Sequence, residues 1–203
     1  MFEPSYRILV WLSYRLAATF AIGLPLIILI WASFRREASM VRLLSIYWKI
    51  ASLMGISVLL LTNQRPIGYI TFFIAPFLMV ASVWFWVDLN EELADLPPWR
   101  PLPFTVRIWR WALSGFSFMF AGLTFISLPC MKTIEGSNCF SWIEAPLLLH
   151  KITKRVFEFL FGGNWNEALA SSLGYLALVI YVIGLIQWLF VRLPRYGRVA
   201  GGF

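Results

Sequence analysis

The chain has 203 residues, of which 60% are hydrophobic and only 13% are charged. This composition excludes an ordinary soluble domain, which would expose too much apolar surface, and is typical of a bundle of membrane-spanning helices. The formal net charge of +7 does not indicate nucleic-acid binding, because no basic face interleaved with polar residues accompanies it. Basic loops beside membrane spans account for that charge.

The first apolar stretch follows a short, mixed and aromatic N-terminal segment, residues 1–15. We expect that segment to be retained, because it lacks the basic start and cleavage site of a signal peptide. We also expect it to lie at the membrane interface before the chain turns inward. The first span is predicted over residues 16–34, with a kink at Pro25, whose ring replaces a backbone donor.

Four further apolar stretches have about the 20 residues that a bilayer requires. Lys49 lies nearly two turns inside the second span. The proline-rich residues 96–103 follow the third, and we expect them to form a stiff, non-helical spacer. The predicted spans after the first cover residues 43–62, 67–87, 108–128 and 168–191.

A cluster of carboxylates directly follows the third span and holds four of the ten acidic residues. Their spacing of i, i+3, i+4 and i+7 would align them on one face if the helix continued. Three interpretations stay open: a solvated helix end, a docking face for a basic partner, or a metal site. A metal site would also need converging carbonyls or further carboxylates. The residues are Asp88, Glu91, Glu92 and Asp95.

Spans two and three are joined only by residues 63–66, so they should pack as an antiparallel hairpin. This brings Lys49 beside Asp88. The sequence therefore predicts a Lys49–Asp88 ion pair, with Arg110 as the competing partner of Asp88. Glu91, Glu92 and Asp95 lie further out in water, where we expect them to form a docking face rather than to support folding.

Residues 146–161 combine a row of apolar side chains with five ionisable groups, which is too polar for a span. We expect an amphipathic helix that lies in the membrane interface. Its His150 has two interpretations, a ligand for a metal or chlorophyll magnesium, or simply polar surface. Asn164 and Glu167 then form a variant capping box for the fifth span.

Five spans place the termini on opposite sides of the membrane. Side B holds the loop at residues 35–42, the acidic cluster and the C-terminus, and it carries ten of the 17 basic residues. Seven tryptophans also fall near side-B span ends. Both signals favour a cytoplasmic side B, with the N-terminus lumenal or periplasmic. Cys130 and Cys139, the two cysteines, both fall on the opposite side A, where an oxidising compartment would allow a disulfide.

Several stretches together resemble a family of small, uncharacterised integral membrane proteins found in cyanobacteria. They are Trp11–Ala17 leading into Ile22–Leu26, then Ile46–Leu53 and Trp84–Glu92. The resemblance covers most of the chain and implies a thylakoid or plasma membrane of a photosynthetic cell. It implies no catalytic motif and no reaction.

The residues favour a non-catalytic role. No Ser/His/Asp or Cys/His set and no phosphate-binding glycine loop is apparent, so we do not expect an enzyme. We expect an accessory, assembly or stabilising subunit of a larger, photosynthetic membrane complex, whose partners are membrane lipid and other integral subunits. No cofactor is predicted, although the aromatic spans offer surface to chlorophyll or carotenoid. The alternative is a component of a small-solute or ion transporter, because Pro25 and Pro76 interrupt two spans.

Overall fold

The computed structural model describes residues 3–97, 99–132 and 137–200, and across these residues the chain is helical without strands. Five helical segments are long and apolar enough to cross a membrane. The predicted all-α membrane fold class is thereby confirmed. The five segments cover Tyr6–Arg35, Ala38–Thr62, Pro66–Trp84, Pro101–Met131 and Glu167–Arg195.

The first span is one uninterrupted run of helical turns. It consists of α1 (Glu3–Ala17), a π-helical turn (Ala18–Gly23) and α2 (Leu24–Arg35). From Glu3 onward the chain therefore does not turn before it enters the span, while the interfacial position of residues 1–15 stays a prediction. The 30 residues from Tyr6 to Arg35 extend about 45 Å at 1.5 Å per residue, so this helix exceeds the hydrocarbon thickness of about 30 Å.

Pro25 produces the π-helical turn that precedes it. Leu24 N donates to Thr19 O, five residues back, instead of to Phe20 O. Pro25 has no N–H, so it can donate neither to Ala21 O in α-helical register nor to Phe20 O in π register. The predicted interruption at Pro25 therefore takes the form of a π turn with two carbonyls that need donors from elsewhere.

Helix α3 (Ala38–Thr62) is the centre of the bundle, and it packs against both α4 (Pro66–Trp84) and α8 (Glu167–Gln187). Glycines allow close approach at both contacts. A Cβ on Gly68 would lie 3.0 Å from the Leu61 side chain, and one on Gly174 would lie 3.2 Å from Leu60. Small residues at such positions let helices pack backbone to backbone in a membrane.

The acidic cluster does not continue the third span. Helix α4 ends at Trp84, and a separate α5 (Val87–Asp95) follows an extended Trp86 with φ −83° and ψ 114°. The next helix, α6 (Pro101–Ser127), begins inside the stretch predicted to be non-helical, because proline is well tolerated in a first turn. Pro98, in the same predicted spacer, lies outside the described residues.

On side A, α6 continues into a 3₁₀ turn (Leu128–Met131), and α7 spans Ser137–Phe161. The helix predicted over residues 146–161 is thus the second half of a longer one, and Pro146 lies inside it. Most apolar side chains of this second half are exposed. The exposed ones include Leu148, Ile152, Val156, Phe159 and Leu160, as a helix in the membrane interface requires.

The last span begins directly after a loop that ends at Asn166. The Asn166 side chain accepts from Leu169 N at 2.7 Å and caps α8. The cap predicted at Asn164 is therefore wrong by two residues, while Glu167 does lie in the first turn. Beyond α8 the chain continues through a π-helical turn (Trp188–Arg192) into α9 (Leu193–Tyr196).

Candidate functional site

The break between α4 and α5 on side B brings together several buried polar contacts. Because the chain is extended at Trp86, the last carbonyls of α4 lose their helical donors. Val83 O, Trp84 O and Phe85 O each accept instead from a side chain, and the three donors come from three different segments. This junction is the first part of the candidate site.

Arg110 of α6 is the central donor, and it is only 5% exposed. Its Nη2 donates to Val83 O at 2.6 Å and also to Asn90 Oδ1. The guanidinium carbon lies 4.0 Å from the ring centroid of Trp84. Among the described residues, the ion pairs do not include Arg110. Carbonyl dipoles and an aromatic face therefore compensate this buried cation.

Asn90 and the C-terminal segment supply the other donors. Asn90 Nδ2 donates to Trp84 O at 3.0 Å, and Arg198 Nε donates to Phe85 O at 2.8 Å. In return, Arg198 O accepts from Val87 N at 3.1 Å. The C-terminal segment thus runs beside the break and closes it.

Asp88 also contacts the C-terminal segment. Its Oδ2 accepts from Ala200 N at 2.9 Å, and Ala200 is fully buried. Within the described part of the chain, the predicted Lys49–Asp88 pair is not among the ion pairs, and Arg110 contacts Asn90 rather than Asp88. The reason is the helix break, which starts a new helix at Val87 and directs Asp88 toward residues 198–200.

Helix α5 is fixed at its other end by Arg107. The Nη2 of this side chain donates to the carbonyls of Leu93, Ala94 and Leu96 at 2.9, 3.3 and 3.2 Å, and so caps the helix C-terminus. Leu93 is buried, as is Leu89 one turn earlier. A nine-residue helix is thereby held at both ends and along its inner face.

The outer face of α5 carries the predicted docking residues. Glu91, Glu92 and Asp95 are all exposed. Glu92 Oε2 lies 3.7 Å from Arg42 Nη2 of α3. This ion pair is half exposed, so it contributes at most about 1 kcal/mol to stability. The acidic face that the sequence indicated is therefore present, but on a short separate helix.

An apolar groove of about 470 Å³ lies directly beneath the junction, between α3, α4 and the end of the last span. Phe85, Trp86 and Trp188 contact one another edge to face and border it, with ring centroids 5.4–5.9 Å apart. Lys49 lies in the wall of this groove. The structure thus places Lys49 on the side of the junction that faces the membrane interior.

Side A has a second cluster, centred on the fully buried Trp142 of α7. Pro146 lacks the N–H that would bond Trp142 O, and Tyr14 OH donates to that carbonyl at 2.7 Å. The Trp142 indole donates to Tyr6 Oη at 2.8 Å. Phe72 lies edge to face with Trp142, at a centroid distance of 5.9 Å.

Side chains from other helices also bond the free backbone carbonyls of the first span. The two carbonyls left by Pro25 accept from neighbouring spans: Trp109 Nε1 donates to Phe20 O at 2.9 Å, and Tyr47 OH donates to Ala21 O at 2.7 Å. Both aromatic side chains are buried. The two backbone carbonyls left by Pro25 are thus bonded to donors of this chain.

Glu144 connects α7 to α1. It accepts from Arg7 Nε and from Trp11 Nε1, both at 2.9 Å. Partial desolvation acts to raise its pKa, but the hydrogen bonds from Trp11 and Arg7 and the charge of Arg7 outweigh it and lower the pKa. Glu144 is therefore a carboxylate at neutral pH.

The two cysteines and His150 each bond to another side chain of this protein. Cys130 and Cys139 are joined by a disulfide with a Cα–Cα distance of 5.6 Å, which connects the 3₁₀ turn after α6 to the start of α7. His150 is buried rather than on the polar surface, and its Nδ1 accepts from Trp165 Nε1 at 3.1 Å. In the described parts of the chain, no three His, Cys, Asp or Glu residues are grouped to hold a metal ion.

Sequence reasoning missed the residues that build the junction: Asn90, Arg107, Arg198 and the Trp84 ring. It also missed Trp142 and Glu144 on side A. A partial signal was present, since each proline inside a helix leaves a carbonyl four residues earlier that needs a donor. For Pro25 and Pro146 that donor is a tyrosine of another helix.

The sequence model of a family described as "Protein of unknown function (DUF3177)" matches residues 7–201. The chain belongs to this family. The match spans both clusters, from Arg7 beside Glu144 to Ala200 beside Asp88. No curated protein matches the chain. No solved structure matches it either.

Proposed function

We propose that this protein is a non-catalytic accessory subunit of a larger membrane complex and that it docks through the outer face of α5. The observation that carries the proposal is the way in which α5 is held. Arg107 caps its end, Asn90 and the tail segment 198–200 fix its start, and Leu89 and Leu93 are buried. A short helix held in this way presents Glu91 and Asp95 in a fixed orientation.

The chemistry of this face specifies the partner. Exposed carboxylates on one helix face attract a basic segment and steer its association, and they contribute more to specificity than to folding. We therefore propose an integral membrane protein with a Lys- or Arg-rich segment on side B. The resemblance to cyanobacterial membrane proteins supports a photosynthetic complex, in a thylakoid or plasma membrane with side B cytoplasmic.

The apolar outer surface of the last span supports association within the bilayer. In the most apolar stretch of this span, only 17% of the residues are buried within this chain. Ile180, Ile183 and Phe190 are each more than 60% exposed. Lipid satisfies such a surface, and so do the spans of a neighbouring subunit.

The test is a double charge reversal, Glu91→Lys with Asp95→Lys, in the full chain purified from native membranes in mild detergent. A photoreactive residue at position 94 identifies what lies against α5. We expect wild-type protein to cross-link to a basic segment of an integral membrane protein, and the double variant to lose that product while its melting temperature stays unchanged. The matched control, Glu158→Lys with Glu167→Lys, has the same change in net charge on side A and should keep the product.

Two results would overturn the proposal: a cross-link in wild type to lipid alone, or equal cross-linking by the double variant. An absorption spectrum of the purified complex tests the photosynthetic setting. Pigment that co-elutes with wild type and is lost with the double variant supports that setting, and a colourless complex contradicts it.

A further inference from the structure

We infer that the groove between α3, α4 and α8 is a binding site for one anionic glycerophospholipid of the side-B leaflet. An acyl chain would lie along the groove, with the phosphate on the side-B side of Lys49, toward which the long lysine stem extends. This inference concerns a different surface from the outer face of α5 and does not depend on the proposed docking.

The dimensions of the groove match one leaflet. Its volume of about 470 Å³ lies within the usual range for ligand pockets, roughly 300–1,000 Å³. Along the last span its lining runs from Ile180 to Leu193, which is roughly 20 Å at 1.5 Å per residue. Half of the hydrocarbon core is about 15 Å thick. A single extended chain therefore fills the groove from the interface toward the membrane centre.

The groove contains free space and opens toward the surrounding bilayer. Gly184 faces the groove, and a Cβ added there would meet no atom within 4 Å. Ala81 lies opposite on α4. Ile180 and Leu189 at the edge are 63% and 45% exposed, so a chain can enter from the surrounding bilayer.

The polar groups of the lining explain why the occupant is anionic. The Ser82 hydroxyl donates to Met79 O within its own helix, and Tyr181 OH donates to Ile50 O. Among the described residues that line the groove, Lys49 is the one with a charged side chain. A cation in an apolar wall attracts an anion, and the long stem of lysine lets its ammonium reach toward the headgroup layer.

Lys49 lies eleven residues, roughly 16 Å, inside the start of α3, so it contacts a headgroup by extending its side chain toward side B. It shares the wall with Ser82, which lies two residues before the end of α4 at Trp84. Phe85, Trp86 and Trp188 lie at that same end, where aromatic side chains favour the interface. Arg192 and Arg195 follow on the last span and add positive charge on side B.

Native mass spectrometry of the full chain tests the site. Delipidated protein is titrated with phosphatidylglycerol or with phosphatidylcholine of the same acyl chains. We expect wild type to retain one phosphatidylglycerol in preference to phosphatidylcholine. Removing the charge by Lys49→Gln should reduce that preference roughly fivefold, and Lys49→Arg should keep it. Inorganic phosphate should not displace the lipid.

A second variant fills the groove. Gly184→Leu should abolish retention of the lipid, whereas the matched control Gly122→Leu, on the exposed face of α6 with equally open space, should bind as wild type does. Equal retention of the two lipids by wild type would overturn the inference. So would undiminished binding by a folded Gly184→Leu, or occupation of the groove by a second copy of the chain.

Discussion

The two ends of the bundle are held together by different chemistry. On side B, the break after α4 is closed by cationic side chains that donate to backbone carbonyls, with Arg110 and Arg198 as the principal donors. On side A, α7 is attached by the Cys130–Cys139 disulfide and by the aromatic cluster around Trp142. Side A thus combines packing and a covalent link with hydrogen bonds from Arg7 and Trp11 to the Glu144 carboxylate, whereas side B relies on hydrogen bonds from cationic side chains to backbone carbonyls.

This difference has a consequence for function. Hydrogen bonds from a buried cation are directional, so they fix the orientation of α5 as well as its position. Packing, the disulfide and the Glu144 contacts hold the first half of α7 in place but leave most of its second half exposed. The side that orients a helix is also the side that presents carboxylates, and variants on each side separate the two kinds of attachment.

Removing Trp142 should have the largest effect. The side chain is fully buried between Tyr14, Phe72 and Phe120. Trp142→Ala should cost about 4 kcal/mol, because it leaves a cavity and removes the donor to Tyr6. The melting temperature in detergent checks this. Trp99→Ala, at a side chain that is 81% exposed, serves as the control and should change little.

Removing the Arg110 guanidinium should have the second-largest effect on stability. Arg110→Leu leaves Val83 O and Asn90 Oδ1 without their donor, and the expected loss is about 3 kcal/mol. The control Arg100→Leu removes an exposed cation on the same side and should change stability by less than about 0.5 kcal/mol. Equal melting temperatures for the two variants would mean that Arg110 does not hold the break.

The disulfide should contribute less. It closes a loop with a sequence separation of 9 residues, and restricting a loop of this size in the unfolded chain stabilises by about 2–3 kcal/mol. Reduction should lower the melting temperature of wild type but leave Cys130→Ser/Cys139→Ser unaffected. Maleimide labelling without prior reduction shows whether the bond forms in the cell, and two reactive thiols would contradict it.

Acidification should have the smallest effect. The pKa of Glu144 is lowered in the folded protein, so its stabilisation is complete above the usual range of a glutamate and is lost as the pH falls through the lowered value. The expected loss at low pH is about 1 kcal/mol. Glu144→Gln keeps an acceptor for Trp11 but should abolish this part of the pH dependence of the melting temperature.

The spans could be predicted from sequence because hydropathy alone determines them. Predicted and observed span ends differ mainly where polar or aromatic residues extend a helix past the apolar run, as at Glu3 and Ala38. The break at Trp86 could not be predicted in this way. The apolar run passes through it without a glycine or proline, and its partners, Arg110 and Arg198, are 24 and 112 residues away in sequence.

The candidate site likewise has one part that could be predicted from sequence and one part that could not. The exposed carboxylates of α5 follow from local spacing, and the sequence identified them. The ionic partner assigned to Asp88 followed from hairpin geometry that assumed a continuous helix, and the new helix at Val87 redirects that side chain to Ala200. Asn90 is a single polar residue in an acidic run, and nothing nearby in sequence indicates that it caps Trp84 O.

The most direct test of the central claim is hydrogen–deuterium exchange over residues 87–96 in three forms of the full chain. The claim is that inward polar contacts hold α5, while its outward carboxylates serve the partner. Asn90→Ala should make the α5 amides exchange faster, and Glu91→Lys with Asp95→Lys should leave their protection at the wild-type level. Protection that survives Asn90→Ala but is lost in the charge reversal would contradict the account.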